Sequence, residues 1–301
     1  MKHYTKKLFF LLLISTSIFG CQKKEESKCL REGNLALPTS QMPGPLFSFG
    51  QTTVDKHDLL FYCFADYLNG VNKNYSDVVL GVLYGITDEI SLFINLPFAP
   101  QHQQDTMISS GVEDIYIQLE WEFICQESLT AYNDATLVGG IFFPTGEFEQ
   151  QSLGAPARIL PISFGSPTYF LGATVKHLAT KWYVYASPAA LITTKHTCVN
   201  TKLGNQFLYE AGIGRNIGNP WGCIFTWVLE LNGAYAMQDR IEGTIDPNSG
   251  GNIVFLGPSL FFSSERLILQ AGISFPIVQQ FIGQQNKNNY LFACDFFWKF
   301  N

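Results

Sequence analysis

The sequence contains little charge for its size. Asp, Glu, Lys and Arg make up 15% of the 301 residues, whereas 47% of the residues are hydrophobic and 15% are aromatic. Soluble domains carry about 25% charged residues, so this chain has too few to cover a soluble surface in the usual way. The formal net charge is -6 and becomes -9 without residues 1–20, which hold three lysines and no acids. An acidic chain lacks the basic surface that nucleic acids require, which excludes nucleic-acid partners.

Long apolar runs are missing beyond the N-terminus. Residues 1–20 have a basic start followed by LFFLLLISTSIF, which is shorter than the roughly 20 residues of a spanning helix and is typical of a secretory signal peptide. We expect ordinary cleavage near Ser17 or Gly20. The alternative is lipoprotein processing with acylation of Cys21, although Phe19 is bulky for that signal. Either route exports the chain.

Cysteine motifs are also absent. The seven cysteines form no CxxC pair and show no Cys/His ligand spacing, and Cys63, Cys223 and Cys294 lie in strand-like runs. We therefore expect no metal site and no cofactor, and interpret most cysteines as small apolar strand residues. A bridge between Cys21 and Cys29 remains an alternative in an oxidising compartment.

The chain is rich in segments in which large apolar residues recur at every second position. In NNYLFACDFFWKFN at the C-terminus, every second residue from Tyr290 is large and apolar, or is Cys294. This is the period of a β-strand. Similar runs between turn residues predict twelve strands, with boundaries uncertain by about two to four residues: 58–67, 75–86, 90–98, 112–124, 135–145, 167–178, 181–194, 205–216, 223–236, 251–262, 267–277 and 289–300.

The connections between these strands alternate in length. Those near 87–89, 180, 217–222 and 263–266 are short, those at 98–111, 146–166, 195–204, 237–250 and 278–288 are long, and 125–134 is intermediate. Short periplasmic turns and long extracellular loops are typical of outer-membrane barrels. Turn lengths place Tyr84 opposite Leu92 and Phe262 opposite Leu267, which brings apolar faces together in both hairpins.

Alternation alone fits a soluble sandwich as well, and tryptophan placement favours the barrel. All five tryptophans fall toward predicted periplasmic strand ends, where an interfacial aromatic girdle belongs. The predicted girdle is Trp121, Trp182, Trp221, Trp227 and Trp298. We therefore predict an all-β transmembrane antiparallel β-barrel of about twelve strands over residues 58–301, in the bacterial outer membrane. Such a barrel has the lipid bilayer as its expected partner. The barrel assembly machinery is a second expected partner, because the aromatic C-terminus resembles the assembly signal of such barrels.

The face opposite the apolar one is often polar, and we predict that it lines the lumen. The lumen-facing candidates are Asp114, Gln118, Glu120, Glu122, Lys176, Glu210, Glu230, Asn232, Asp295 and Lys299. These acids either attract cations to a pore or pair with donors inside a filled barrel. Residues 21–57 are too short and too rich in Pro, Gly and charge to fold alone, so we expect a periplasmic tether or a plug.

Five short motifs appear in a characteristic order. They are YGITD at 84–88, LPF at 96–98, GVED at 111–114, PTG at 144–146 and GPSLF at 257–261. Together they resemble the outer-membrane family described as the transporter, or MetA-pathway of phenol degradation, family across most of residues 75–300. The resemblance implies a barrel that passes small, often aromatic, molecules, and it supplies no catalytic residues.

Function is predicted at the level of class. The leading hypothesis is passive transport of small molecules, including aromatic or hydrophobic ones. The alternative is a non-conducting surface barrel whose loops bind a host or envelope partner. An enzyme is not expected, because strand pairing puts His177 opposite Val184 and leaves Ser187 on the other face, so that histidine has no nucleophile beside it.

Overall fold

The structure, a computed structural model, describes residues 32–49, 53–147, 162–196 and 200–300. The predicted signal peptide, Cys21 and Cys29 lie outside these residues. Within the described ranges the helices are short 3-10 turns, and none is long and apolar enough to cross a membrane. The described strands are β1 (Leu59–Gly70), β2 (Lys73–Gly85), β3 (Ile90–Gln104), β4 (Met107–Val112), β5 (Ile115–Glu127), β6 (Ala131–Phe143), β7 (Thr168–Ala179), β8 (Trp182–Thr193), β9 (Gln206–Gly218), β10 (Ile224–Ala236), β11 (Arg240–Ile241), β12 (Thr244–Ile245), β13 (Gly251–Ser263), β14 (Leu267–Phe281) and β15 (Asn288–Phe300).

Antiparallel pairing closes these strands into a ring. Neighbours along the chain pair with each other, and β1 pairs with β15 from Leu59 opposite Phe300 to Gly70 opposite Asn288. β4 and β5 follow each other along the same edge of β3, so together they form one position of the wall. β11 and β12 form a separate hairpin in a loop. The wall therefore has twelve strands, which confirms the predicted antiparallel barrel.

The side chains alternate between the two sides of the wall. On β5, Gln118, Glu120 and Glu122 are buried, whereas the intervening Leu119 and Trp121 are exposed. Leu, Ile, Val and aromatic side chains are exposed around the outside of every strand pair. A continuous apolar outer surface on a closed antiparallel barrel is the architecture of bacterial outer-membrane proteins, and the predicted location is confirmed.

The two ends of the barrel differ in their connections. Residues 86–89, 128–130, 180–181, 219–223 and 264–266 link strands at one end, which we call the short-turn rim. The intermediate break predicted at 125–134 is a three-residue turn, because β5 and β6 extend further than predicted. The other end, the long-loop rim, carries the longer connections and the two-residue turns at 71–72 and 105–106. The short-turn rim is the one expected to face the periplasm.

Some predicted loops are ordered as strands. The predicted loop at 98–111 contains the end of β3 and all of β4 except Val112, and the loop at 237–250 contains the β11–β12 hairpin. One predicted register was wrong by two residues, since Phe262 pairs with Leu269 and not with Leu267. An error of two preserves the face, so the apolar sides still coincide. Tyr84 opposite Leu92 was predicted correctly.

The difference between the rims predicts the orientation of the protein. Glu242 and Glu265 are both exposed glutamates in turns between antiparallel strands, one at each rim. An epitope inserted at Glu242 should be detected by antibody on intact cells, and the same epitope at Glu265 only after permeabilisation. Detection of the Glu265 epitope alone on intact cells would mean that the barrel is inverted.

Candidate functional site inside the barrel

The barrel interior contains the chain segment that precedes β1. We call residues 32–49 and 53–57 the N-terminal strap. The strap starts at the short-turn rim, where the backbone amide of Asn34 donates a hydrogen bond to Thr180 O at 2.8 Å. It reaches the β10 wall around Leu46 and Phe47 and returns to the short-turn rim, where the amide of His57 donates to Gly85 O. The strap therefore forms a hairpin-shaped filling of the lumen.

Asn34 fixes the base of the strap. Its side chain is fully buried, and its amide nitrogen donates to Ala179 O at 3.1 Å and to Trp182 O at 3.2 Å. Its amide oxygen accepts from Thr226 Oγ1 at 2.8 Å. The side chain thus bonds to three separate strands, which satisfies a buried polar group completely. The adjacent Gly33 has φ +63°, and a Cβ there would overlap Thr180 O.

Apolar contacts secure the strap between its polar attachments. Leu35 belongs to a buried cluster with Tyr132, Leu178 and Tyr183 of the wall. Leu37 and Val54, from the two arms of the strap, belong to another cluster that extends from β1 to β15. These contacts lie on the inner wall, so the strap supplies an apolar core to the short-turn half of the barrel.

Glu230 holds the apex of the strap. This carboxylate on β10 is 1% exposed, and its Oε2 accepts from the amides of Leu46 at 2.9 Å and Phe47 at 3.3 Å. The same oxygen accepts from Tyr185 OH at 2.9 Å, and Oε1 accepts from Ser259 Oγ. A buried carboxylate is costly without such donors. Glu230 and the strap backbone therefore satisfy each other.

Other lumen-facing candidates contact the strap around Glu230. Asn232 Nδ2 donates to Phe47 O at 3.2 Å, and Gln118 Nε2 donates to Phe49 O at 3.3 Å. Glu210 lies against Ser48 and the backbone of Phe49.

The returning arm and the short-turn rim supply further contacts. Thr53 Oγ1 donates to Glu122 Oε2 at 2.6 Å, and Tyr132 OH donates to Glu122 Oε1. Lys299 Nζ donates to Ser40 Oγ at 3.4 Å and pairs with Asp58. Many of the polar groups that face the lumen are thus engaged with the strap.

The remaining candidates form contacts within the wall and loops. Lys176 pairs with Asp134 at 2.7 Å, with both side chains buried. Glu120 accepts from Gln118 Nε2 at 2.5 Å. Asp114 accepts from the backbone amides of Gly146 and Phe164, at 3.0 and 2.8 Å, and so contacts both described ends of the connection between β6 and β7. Asp295 is buried beside a cavity of about 20 Å³, and its Oδ1 has no hydrogen-bond partner among the described residues.

Sequence reasoning missed an aromatic cluster in the interior. Tyr116 stacks on Phe142 with ring centroids 4.1 Å apart, and Phe142 contacts Phe164 at 5.2 Å. Phe170 meets Phe49 of the strap edge-to-face at 4.8 Å. A signal was available, because Tyr116 shares a strand face with Gln118 and Glu120. We call these five side chains the aromatic cluster.

The predicted girdle residues are exposed and lie nearer the short-turn rim. Trp221 lies in the turn at 219–223 and is 95% exposed. Trp182, Arg215 and Trp227 are aligned on adjacent strands, and the guanidinium of Arg215 lies 5.3 Å from the Trp182 ring centroid. Trp121 is opposite Ile90 at the start of β3, and Trp298 is near the end of β15.

Two further features are the surroundings of His177, the histidine considered for catalysis, and a pocket between two loops. His177 is exposed, pairs with Val184 across the sheet and contacts Asn133 Oδ1 through Nδ1 at 2.5 Å. A pocket of about 380 Å³ lies between the loops at 194–205 and 237–250. Beside it, burial raises the pKa of Asp239, and the hydrogen bond from the Gly204 amide opposes that rise.

The fold and interior define a transmembrane β-barrel whose lumen contains its own N-terminal segment. No protein-family model matches the chain, and no curated protein sequence matches it. Among solved structures, the chain is similar to a COG4313 outer membrane channel from Pseudomonas putida F1, with a TM-score of 0.66, 14% identity, and coverage of 86% of this chain and 99% of that one.

Two other solved barrels are more distant. The NanC porin has a TM-score of 0.48 and 7% identity, covering 80% of this chain and 100% of that one. The β-domain of the Bordetella autotransporter BrkA has a TM-score of 0.47 and 10% identity, covering 82% and 100%. At 14% identity, the similarity to the Pseudomonas putida F1 channel supports the outer-membrane barrel fold.

The contacts of Glu230 predict how the strap responds to mutation. Glu230→Ala removes the acceptor of the Leu46 and Phe47 amides. Hydrogen bonds to charged groups contribute about 1.5–3 kcal/mol to stability. Because local opening of the strap would cost that much less, hydrogen exchange of a peptide covering these amides should accelerate at least about tenfold.

Asp114→Ala is a matched control for this experiment. Asp114 is also a buried carboxylate that accepts two backbone amides, but from Gly146 and Phe164. It should accelerate exchange in those segments and leave residues 46–47 unchanged. Unchanged exchange of residues 46–47 in Glu230→Ala would show that the carboxylate does not hold the strap.

Proposed function

We propose that this protein is an outer-membrane channel for passive transport of small molecules, in which the N-terminal strap acts as a plug that restricts passage. The observation that carries the proposal is the strap inside a closed barrel. At its apex Phe49 packs on Phe170, and the apex is otherwise attached through hydrogen bonds to Glu230, Asn232 and Gln118. Such bonds can exchange for bonds to water when a segment moves, so the plug can shift without opening the wall.

The cargo is proposed to be aromatic or hydrophobic. The aromatic cluster offers ring faces and edges inside the barrel, and aromatic rings attract other rings in offset or edge-to-face geometry. The motif resemblance to the family of phenol-degradation transporters supports the same cargo. The similar solved barrel from Pseudomonas putida F1 is described as a channel.

A non-enzymatic role is part of the proposal. His177 contacts Asn133, and His57 contacts Tyr84 OH at 3.0 Å, so neither is paired with a serine or cysteine nucleophile. Hydrolytic catalysis of the serine or cysteine type needs such a pair. The rival function is the non-conducting barrel whose loops bind a host or envelope partner.

Conductance separates these two functions. Deletion of residues 22–50, with the export signal kept, should leave a heat-modifiable barrel, because every ladder of the wall is formed without the strap. Its conductance in planar bilayers should exceed that of the wild type. Glu230→Ala provides a second variant with the full chain present and should raise conductance or the frequency of openings. Barrels of both variants that assemble but remain non-conducting would overturn the channel and favour the rival.

The proposed cargo class is tested separately. In the Glu230→Ala background, a neutral aromatic solute should block the current more strongly than a sugar of similar size. Phe170→Leu should weaken this block, since Phe170 belongs to the aromatic cluster. The matched control is Phe275→Leu, because Phe275 is exposed on the outer face. Equal block by both solutes would reject an aromatic cargo while leaving the channel intact.

A further inference from the structure

Three side chains converge near the long-loop rim, away from the strap contacts. They are Asp77 on β2, His102 on β3 and Glu113 between β4 and β5. His102 Nε2 lies 2.5 Å from Asp77 Oδ1 and 3.8 Å from Glu113 Oε1. One potential ligand atom from each residue lies within 4.8 Å of the other two.

A β-bulge in β3 brings His102 into this group. Ser76 pairs with Gln101 and Val78 with Phe98, so two steps along β2 match three along β3. The ladder with β4 has the same extra residue, between Ala99 and His102. One inserted residue reverses the in-and-out alternation, and bulges often re-aim functional side chains. His102 consequently turns to the same side as Asp77. Its ring packs edge-to-face on Tyr75, with centroids 5.0 Å apart.

The cluster has more negative than positive groups. Asp66 is the direct cross-strand partner of Asp77, and its carboxyl contacts that of Asp77. Glu113 also lies against Asp77. Within the described residues, neither lysine nor arginine pairs with any of these three carboxylates. Like charges placed this closely repel one another unless a proton or cation lies between them.

One potential ligand atom is also left without a donor. Glu113 Oε1 is buried and has no hydrogen-bond partner among the described residues. It lies 3.8 Å from His102 Nε2, on the side of Glu113 that faces the cluster. A buried carboxylate oxygen of this kind calls for a partner, and a metal ion supplies one.

We propose that Asp77, His102 and Glu113 bind a divalent transition-metal ion of the zinc class, with Asp66 supporting the position of Asp77. Imidazole nitrogen together with carboxylate oxygen suits zinc, whereas calcium and magnesium prefer oxygen ligands alone. Ligands around tetrahedral zinc lie roughly 3.4 Å apart, given metal–ligand distances near 2.1 Å. The distances from His102 Nε2 to Asp77 Oδ1 and to Glu113 Oε1 lie below and above this value, respectively. Small side-chain movements would therefore bring the ligand atoms to the separations that zinc requires. Water completes the coordination.

The site also has a route for an ion to enter. The side chains of His102, Glu113 and Asp77 are 15%, 20% and 26% exposed, respectively. Bound metal joins β2, β3 and the β4–β5 junction, and so stabilises this part of the long-loop rim, because an ion that binds only the folded state adds to its stability. The inference does not depend on whether the barrel conducts.

Zinc binding to the purified full-length protein tests the proposal. After removal of any purification tag and dialysis against chelator, the wild type should bind one equivalent of zinc by calorimetry and metal analysis. Cobalt, used as a spectroscopic substitute, should give visible absorption characteristic of nitrogen and oxygen ligands. His102→Gln and Glu113→Gln should each weaken zinc binding at least about tenfold, since each removes a ligand.

His177→Gln is the matched control, because His177 also lies on a strand and contacts a polar neighbour. It should bind zinc like the wild type, and heat-modifiable mobility should show that every variant is assembled. The proposal is overturned if the wild type binds no zinc, if His102→Gln binds as tightly as the wild type, or if calcium competes equally. Loss of binding in His177→Gln alone would place the metal elsewhere.

Discussion

The structure depends on the closure of the wall, in which each of the twelve strand positions pairs with a neighbour on both sides. Lipid offers backbone amide and carbonyl groups no hydrogen bonds, so a sheet can cross a membrane only when it has no free edge. The ladder between β1 and β15 meets this requirement along the full length of both strands. Once the ring is closed, strict alternation follows: one residue faces lipid and the next faces the interior. The apolar outer surface and the polar interior are consequences of that closure.

Closure creates a second requirement inside the barrel. Twelve strands enclose more space than the eight-stranded wall whose side chains just fill it. The N-terminal strap occupies this space in the short-turn half, and its own backbone groups then need partners. Wall side chains provide them: Glu230 accepts from strap amides, Asn232 donates to a strap carbonyl, and Ser91 Oγ accepts from the amide of Val54 at 3.0 Å. The polar side chains of the lumen are thus part of a core and not only the lining of a pore.

Sequence reasoning predicted the wall and its faces well, because a period of two is a local signal that each strand displays by itself. It did not predict the strap's path. Leu46 and Glu230 are 184 residues apart, and Asn34 lies in a short GNL segment without periodicity. His102 was missed for a different reason: the bulge before it reverses the alternation, so its segment was interpreted as a loop. Tyr116 could have been found, since its position on β5 matches that of Gln118.

The attachments of the strap differ in strength between its base and its apex. At the base, Asn34 bonds to three strands and Leu35 is buried among aromatic and aliphatic side chains. At the apex, the amides of Leu46 and Phe47 share one oxygen of Glu230. If the apex moves away, Glu230 keeps the hydrogen bonds from Tyr185 and Ser259, so the carboxylate is not left without donors. Displacing the base would leave buried amide groups of Asn34 unpaired, a larger cost. Local opening therefore favours movement of the apex about a fixed base, which would change the width of the lumen while the wall stays closed.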